Sequence, residues 1–175
     1  MSCFLQETEP EKITAVLTFK RDQLLYDIAN GGYVEAHVMP DDAEHIRHMV
    51  ADICEGGNSD RVTRTLDLAV AHCRELLYPF TKRDADRLVL DDRFKERPSY
   101  GIVLNIPSDF SQTTLTLLER LIHEYLVATA LADWLSITNP DKVRVWAEKA
   151  TDAESELRTT VHSRMKRTRI KPHWL

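Results

Sequence analysis

Five side chains of this sequence are the best candidates for binding a transition metal. His45 and His48 lie three residues apart, so a helix would present both on one face. The others would have to come from neighbouring helices, as in carboxylate-bridged two-metal bundles. The candidate ligands are His45, His48, His72, His123 and Glu124. They define one hypothesis, a metal-dependent enzyme built on a helical bundle.

The spacing of these residues does not match known metal motifs. Val127 stands where HExxH requires its second histidine, and the Glu-x-x-His pairs of ferritin-type bundles are absent. The alternative interpretation is that His45 and His48 are exposed and that His123 and Glu124 form a surface pair with Arg120. We therefore expect no metal and no cofactor.

Motifs for other chemistries are missing from the sequence. Its five glycines form no GxGxxG, no GxxxxGK[ST] and no GxSxG pattern. His72 and Cys73 are adjacent, and neighbours on a helix point about 100° apart, so they cannot act as base and nucleophile. Cys73 falls on an apolar helix face, which indicates a core thiol. We predict a protein that is not an enzyme.

The end of the sequence could bind an acidic surface. Residues 157–175 contain six basic residues and no acidic one, whereas the whole chain carries a net charge of −5. The rest of the chain is therefore strongly acidic. The tail residues that could contact phosphates or an acidic neighbour are Arg164, Lys166, Arg167, Arg169 and Lys171. Non-specific nucleic-acid binding through this tail is a further hypothesis, and a solvated helix end is its alternative.

Hydrophobic periodicity predicts the elements that carry these residues. Residues 13–19 and 100–106 read as two short strands that pair with each other. Helices are predicted over residues 22–30, where Gly31-Gly32 breaks or kinks the pattern, and then from Pro40 to Gly56. A third helix follows Asn58 or Ser59 and ends at Pro79.

Two long helices should occupy the second half of the chain. The first begins after Ser108 or Ser111 and runs to residue 137, and its second half has little polar surface. Asn139-Pro140 then starts a helix whose apolar positions step by three and four, as expected for pairing with one partner. The short connection predicts an αα-hairpin. Trp134, Trp146 and Leu157 on this hairpin are candidate interface residues, with packing inside the hairpin as the alternative.

These patterns describe one mainly α domain over residues 1–175. It is a helical bundle with a long C-terminal αα-hairpin and a small two-stranded β element. We expect residues 1–11 to be flexible, residues 81–99 to be an exposed charged excursion and residues 164–175 to be a basic tail. An odd cysteine count without CxxC indicates a reducing compartment, and neither a signal peptide nor a membrane-spanning stretch is recognisable. The cytoplasm is the expected location.

Residues 115–127 (LTLLERLIHEYLV), residues 131–140 (LADWLSITNP), the segment from 60 to 79 and the basic end carry a resemblance to known sequences. They resemble a family of uncharacterised proteins from prophage-like gene clusters of gut bacteria, and the resemblance covers most of the chain from about Ile13. It implies a virion structural or assembly protein, such as a small helical head-tail connector or completion subunit, and brings no catalytic residue. The first hypothesis is therefore a non-enzymatic, oligomeric assembly subunit without membrane contact, in the cytoplasm or in a virion.

Overall fold

A computed structural model describes residues 12–40, 44–81, 98–108 and 110–163. The predictions for residues 1–11, for most of the 81–99 excursion and for the basic tail lie outside these residues. The described elements, in chain order, are β1 Lys12–Lys20, α1 Arg21–His37, α2 Glu44–Ala51, a 3-10 turn Asp52–Cys54, α3 Ser59–Leu76, α4 Tyr78–Thr81, β2 Ser99–Pro107, α5 Gln112–Thr138 and α6 Pro140–Ser163.

The fold is mainly helical with a small antiparallel sheet, as the sequence predicts. β1 pairs with β2 so that Val16 lies opposite Val103 and Phe19 lies opposite Tyr100. The inner face of the sheet is apolar and packs on the helices through buried residues that alternate along both strands: Leu17, Phe19, Tyr100, Ile102, Leu104 and Ile106. This period-two burial is what a half-exposed sheet requires.

Helix α5 is the centre of the bundle. It forms the predicted hairpin with α6, whose Ala153, Leu157 and Val161 belong to the core. Helices α1 and α3 pack on other sides of α5. Four successive residues, 125 to 128, are buried, so the helix is covered around its full circumference there. The apolar second half of this helix is therefore covered by elements of the same chain.

The predicted break at Gly31-Gly32 is wrong, because α1 runs through both glycines to His37. A Cβ on Gly31 would stand 2.6 Å from a methyl carbon of Leu131, and one on Gly32 would stand 3.0 Å from Ile53. These glycines let α1 approach its neighbours closely. They serve packing rather than chain reversal.

Helix boundaries elsewhere differ slightly from those expected. α3 ends at Leu76, and Pro79 lies inside the short α4 rather than closing α3. Asn58 and Ser111 precede α3 and α5, but neither side chain bonds to a backbone N–H of its helix. Pro140 is the first residue of α6, as predicted. No helix within the described residues is long and apolar enough to cross a bilayer.

Candidate functional site

A groove follows the free edge of β1. Within the described part of the chain the sheet has two strands, and no backbone hydrogen bond joins Ile13–Lys20 to anything but β2. The first part of the groove has a volume of about 360 Å³ and touches five consecutive strand residues, from Ile13 to Leu17. Consecutive strand residues point to opposite faces. Contact with all five therefore indicates that the groove runs along the edge of the strand.

The groove continues along the remainder of β1. Its second part has a volume of about 400 Å³ and is lined by Thr18, Phe19 and Lys20, followed by Gln23 at the start of α1. Glu119 of α5 lines both parts, so the two parts meet there. We call the whole feature the β1–α5 groove.

Helix α5 forms the wall opposite the strand. The wall residues Gln112, Thr116, Glu119 and His123 are spaced by four, three and four, so they lie along one side of the helix. The helix takes this position because Leu118 and Ile122, on its buried side, are anchored in the core. The wall side is left free.

The two parts of the groove are lined by different residue types. The part around Ile13 contains most of the apolar lining residues, among them Ile106, Phe110 and Leu115, together with polar ones such as Gln112 and Glu119. Ile13 and Val16 are 50% and 59% exposed. Phe110 is held by an edge-on contact with Phe80, with ring centroids 5.5 Å apart. This end can accept apolar side chains.

The other end of the groove contains a linked set of polar groups. His123 Nε2 donates to a carboxylate oxygen of Asp27 at 2.8 Å, and the Gln23 amide donates to both oxygens of that carboxylate at 3.1 and 3.2 Å. Asp27 thereby fixes the ring of His123, and the other ring nitrogen has no partner among the described residues. Such an Asp–His pair can orient an imidazole as a hydrogen-bonding or basic group.

Two cations stand at the same end. Lys20 and Arg120 line the groove, and neither forms an ion pair or hydrogen bond with another described residue. Glu119 is the acidic residue among the lining residues, and the carboxylate of Asp27 lies next to them through its bond to His123. Among the described residues, the polar end of the groove therefore combines two cations that lack ion-pair partners with these two carboxylates.

The structure does not bring the predicted metal ligands together. His72 lies 3.6 Å from Glu154, with its ring 5.9 Å from that of Tyr125, while His123 pairs with Asp27 instead of Glu124 or Arg120. His45 and His48 are exposed on α2. No group of three potential ligands is present in the described segments.

Cys73 is fully buried in the core, where the sequence pattern indicates. Burial, reinforced by the nearby Glu154 carboxylate, raises the pKa of its thiol to about 12. Burial also raises the pKa of Tyr125, with Cys73 and Glu154 as smaller causes. Both groups stay protonated at neutral pH, so the thiolate needed for nucleophilic chemistry is not formed.

The candidate interface residues of the hairpin pack inside the chain. Trp134 is 8% exposed and donates to the carbonyl of Val50 at 3.2 Å, and Leu157 is 1% exposed. Trp146 is half-buried and donates to the carboxylate of Glu35 at 3.1 Å. These side chains offer little surface to a second chain.

The sequence pattern missed the β1–α5 groove and the Asp27–His123 pair. These two residues are 96 positions apart, and no spacing rule connects them. The open edge had a visible signal, because a sheet of two predicted strands must have unpaired edges. Comparison of the chain with protein-family models, with curated proteins and with solved structures finds no match.

Proposed function

We propose that this chain is a non-enzymatic assembly subunit that binds an extended segment of a neighbouring chain beside β1. The segment would become a third strand of the sheet and lie in the β1–α5 groove. This is strand addition, in which main-chain hydrogen bonds give affinity and side-chain pockets give selectivity. The resemblance to prophage-associated proteins suggests a connector or completion subunit that works in a virion or, before assembly, in the cytoplasm.

The observation that carries the proposal is the unpaired edge of β1 inside a groove. Every second residue of an edge strand directs its N–H and C=O groups away from its partner. From Ile13 to Lys20 these groups meet no backbone partner except β2 among the described residues. An incoming strand would satisfy them.

Exposed aliphatic side chains at the same edge favour an occupied state. Ile13, Val16, Leu115 and Phe110 all border the groove. Proteins usually protect a long apolar edge with charges, prolines or a covering loop, because such edges promote association. Covering this edge with a strand would bury its apolar surface and contribute free energy.

The proposal does not depend on the apolar half of α5. From the sequence alone, that apolar surface suggests a contact with another subunit. In the structure, α1, α3 and α6 of the same chain cover it. The β1–α5 groove is an independent reason to expect association. It also locates the contact at the opposite end of α5.

Light scattering coupled to size-exclusion chromatography, over a concentration series, tests the proposal. The native chain should form a defined oligomer, and Ile13→Glu should weaken association at least tenfold, because a carboxylate would stand in the apolar part of the groove. Leu68→Glu is the matched control, since Leu68 is 73% exposed on α3, away from the groove. A native monomer at all concentrations, or equal effects of the two variants, would contradict the proposal.

A further inference from the structure

We infer that the strand bound in the β1–α5 groove is residues 1–11 of a second copy of this chain, aligned parallel to β1. The inference rests on the proposed function, because it identifies the occupant of the same groove. Charge and apolar pattern give the direction of the bound strand, and chain connectivity then gives the copy to which it belongs.

The charges are complementary. Residues 1–11 contain Glu7, Glu9 and Glu11 and no lysine or arginine. Alternate residues of a strand share a face, so the three carboxylates would lie on one side. The groove offers Lys20 and Arg120 without ion-pair partners in the described residues, and its lining there also contains the imidazole of His123 and one carboxylate, that of Glu119. The basic tail, residues 164–175, carries the wrong charge for this site.

The order of apolar and charged residues sets the direction. In residues 1–11 the side chains of Cys3, Phe4 and Leu5 precede the three glutamates, and Pro10 lies among the glutamates. Along β1 the groove begins at Ile13, near Phe110 and Leu115, and ends at Lys20, near Arg120. Apolar side chains meet apolar ones and glutamates meet the cations only if the two strands run in the same direction. An antiparallel strand would place the glutamates near Phe110 and Leu115.

Chain connectivity then selects a second copy. Residues 1–11 continue directly into β1 at Lys12. Parallel strands of one chain need a crossover connection of about a dozen residues or more, and none is available here. Within one chain, residues 1–11 could pair with β1 only by folding back as an antiparallel hairpin. The length is sufficient, since 11 residues at about 3.3 Å each exceed the span of the eight groove-lining residues of β1.

Charge reversal with rescue tests the inference on the full chain. One variant carries Lys20→Glu and Arg120→Glu, and the other carries Glu7→Lys, Glu9→Lys and Glu11→Lys. We expect each variant alone to associate at least tenfold more weakly than the native chain. Mixing the two should restore association, because each then supplies the charge that the other lost. Native mass spectrometry of isotope-labelled mixtures would detect the mixed species.

The outcomes separate this inference from the function on which it rests. A native oligomer that neither variant weakens, or variants that are not rescued by mixing, would overturn the assignment of residues 1–11 and leave assembly standing. A native chain that is monomeric throughout would overturn both, including the case in which the segment folds back on its own β1. Lys20 and Arg120 are exposed, and circular dichroism melts of each variant verify that folding is retained.

Discussion

The two halves of α5 have opposite relations to the rest of the protein. From Tyr125 to Leu135 most side chains are buried on all sides by α1, α3 and α6. From Gln112 to His123 only one narrow stripe is buried, and another side forms the wall of the β1–α5 groove. Hydrophobic surface in the sequence therefore marks the centre of the monomer, whereas the surface suited to a partner lies in the more polar half.

The largest expected difference between the halves is in core packing. Leu126→Ala should lower the free energy of unfolding by about 2–5 kcal/mol, because the side chain is fully buried and its removal leaves a cavity. Leu117→Ala in the same helix should change it by less than about 0.5 kcal/mol, since Leu117 is 40% exposed. Urea denaturation measures both. Similar losses of unfolding free energy at the two positions would contradict the difference between the two halves of α5.

The contrast also explains which parts of the fold the sequence predicts. The hairpin follows from the three-four spacing of α6 and from Asn139-Pro140, which are local signals. The continuation of α1 through Gly31 does not follow from local signals. A pair of glycines predicts a helix break, and only the close approach of Leu131 explains why glycine stands inside the helix. The groove depends on the distance between β1 and α5, which no pattern in either segment encodes.

A second prediction tests how closely the covered half is packed. Gly31→Ala should destabilise the protein by up to about 2 kcal/mol. The new methyl group would overlap the buried side chain of Leu131, which costs about 1–3 kcal/mol, and the higher helix propensity of alanine returns about 1 kcal/mol. Gly57→Ala is the matched control, since no atom lies within 4 Å of its Cβ position and its φ is not positive. Thermal melts of the two variants should move apart. A stabilised Gly31→Ala protein would show that α1 and α5 can separate without cost.

A third prediction uses pH to test the interior next to α5. Folding raises the pKa of the Cys73 thiol from 9.0 to about 12. A raised pKa contributes stability that is complete below the unfolded value and is lost as pH rises toward the folded value. Between pH 8 and pH 10 the native chain should therefore lose about 1 kcal/mol more than Cys73→Ala. Both proteins keep Tyr125, whose pKa is raised mainly by burial and less by Cys73, so most of its effect cancels in the comparison.

The test is denaturant unfolding of both proteins at the two pH values. Equal losses for the native chain and Cys73→Ala would show that the thiol is accessible to water. That result would contradict the closed packing of α3 on the covered half of α5.

The smallest effect is expected at the open half. His123→Gln removes the imidazole that bonds to Asp27, a contact in which about a third of each side chain is exposed, so the loss of stability should not exceed about 1 kcal/mol. Glu124→Gln, at an exposed neighbouring position, is the control and should be close to neutral. A loss of several kcal/mol for His123→Gln would indicate that this part of α5 is packed in the core and would contradict the prediction. Chemical denaturation under identical buffer conditions distinguishes these results.

The adjacent glycines of α1 have a consequence for the order of folding. Each glycine in a helix interior costs roughly 1 kcal/mol relative to alanine, so the isolated segment has little tendency to form a helix. Its helical state depends on contacts with Leu131 and Ile53, which must already be in position. α1 should therefore be acquired late during folding, and its amides should exchange with solvent earlier than those of α5 when the native protein opens locally.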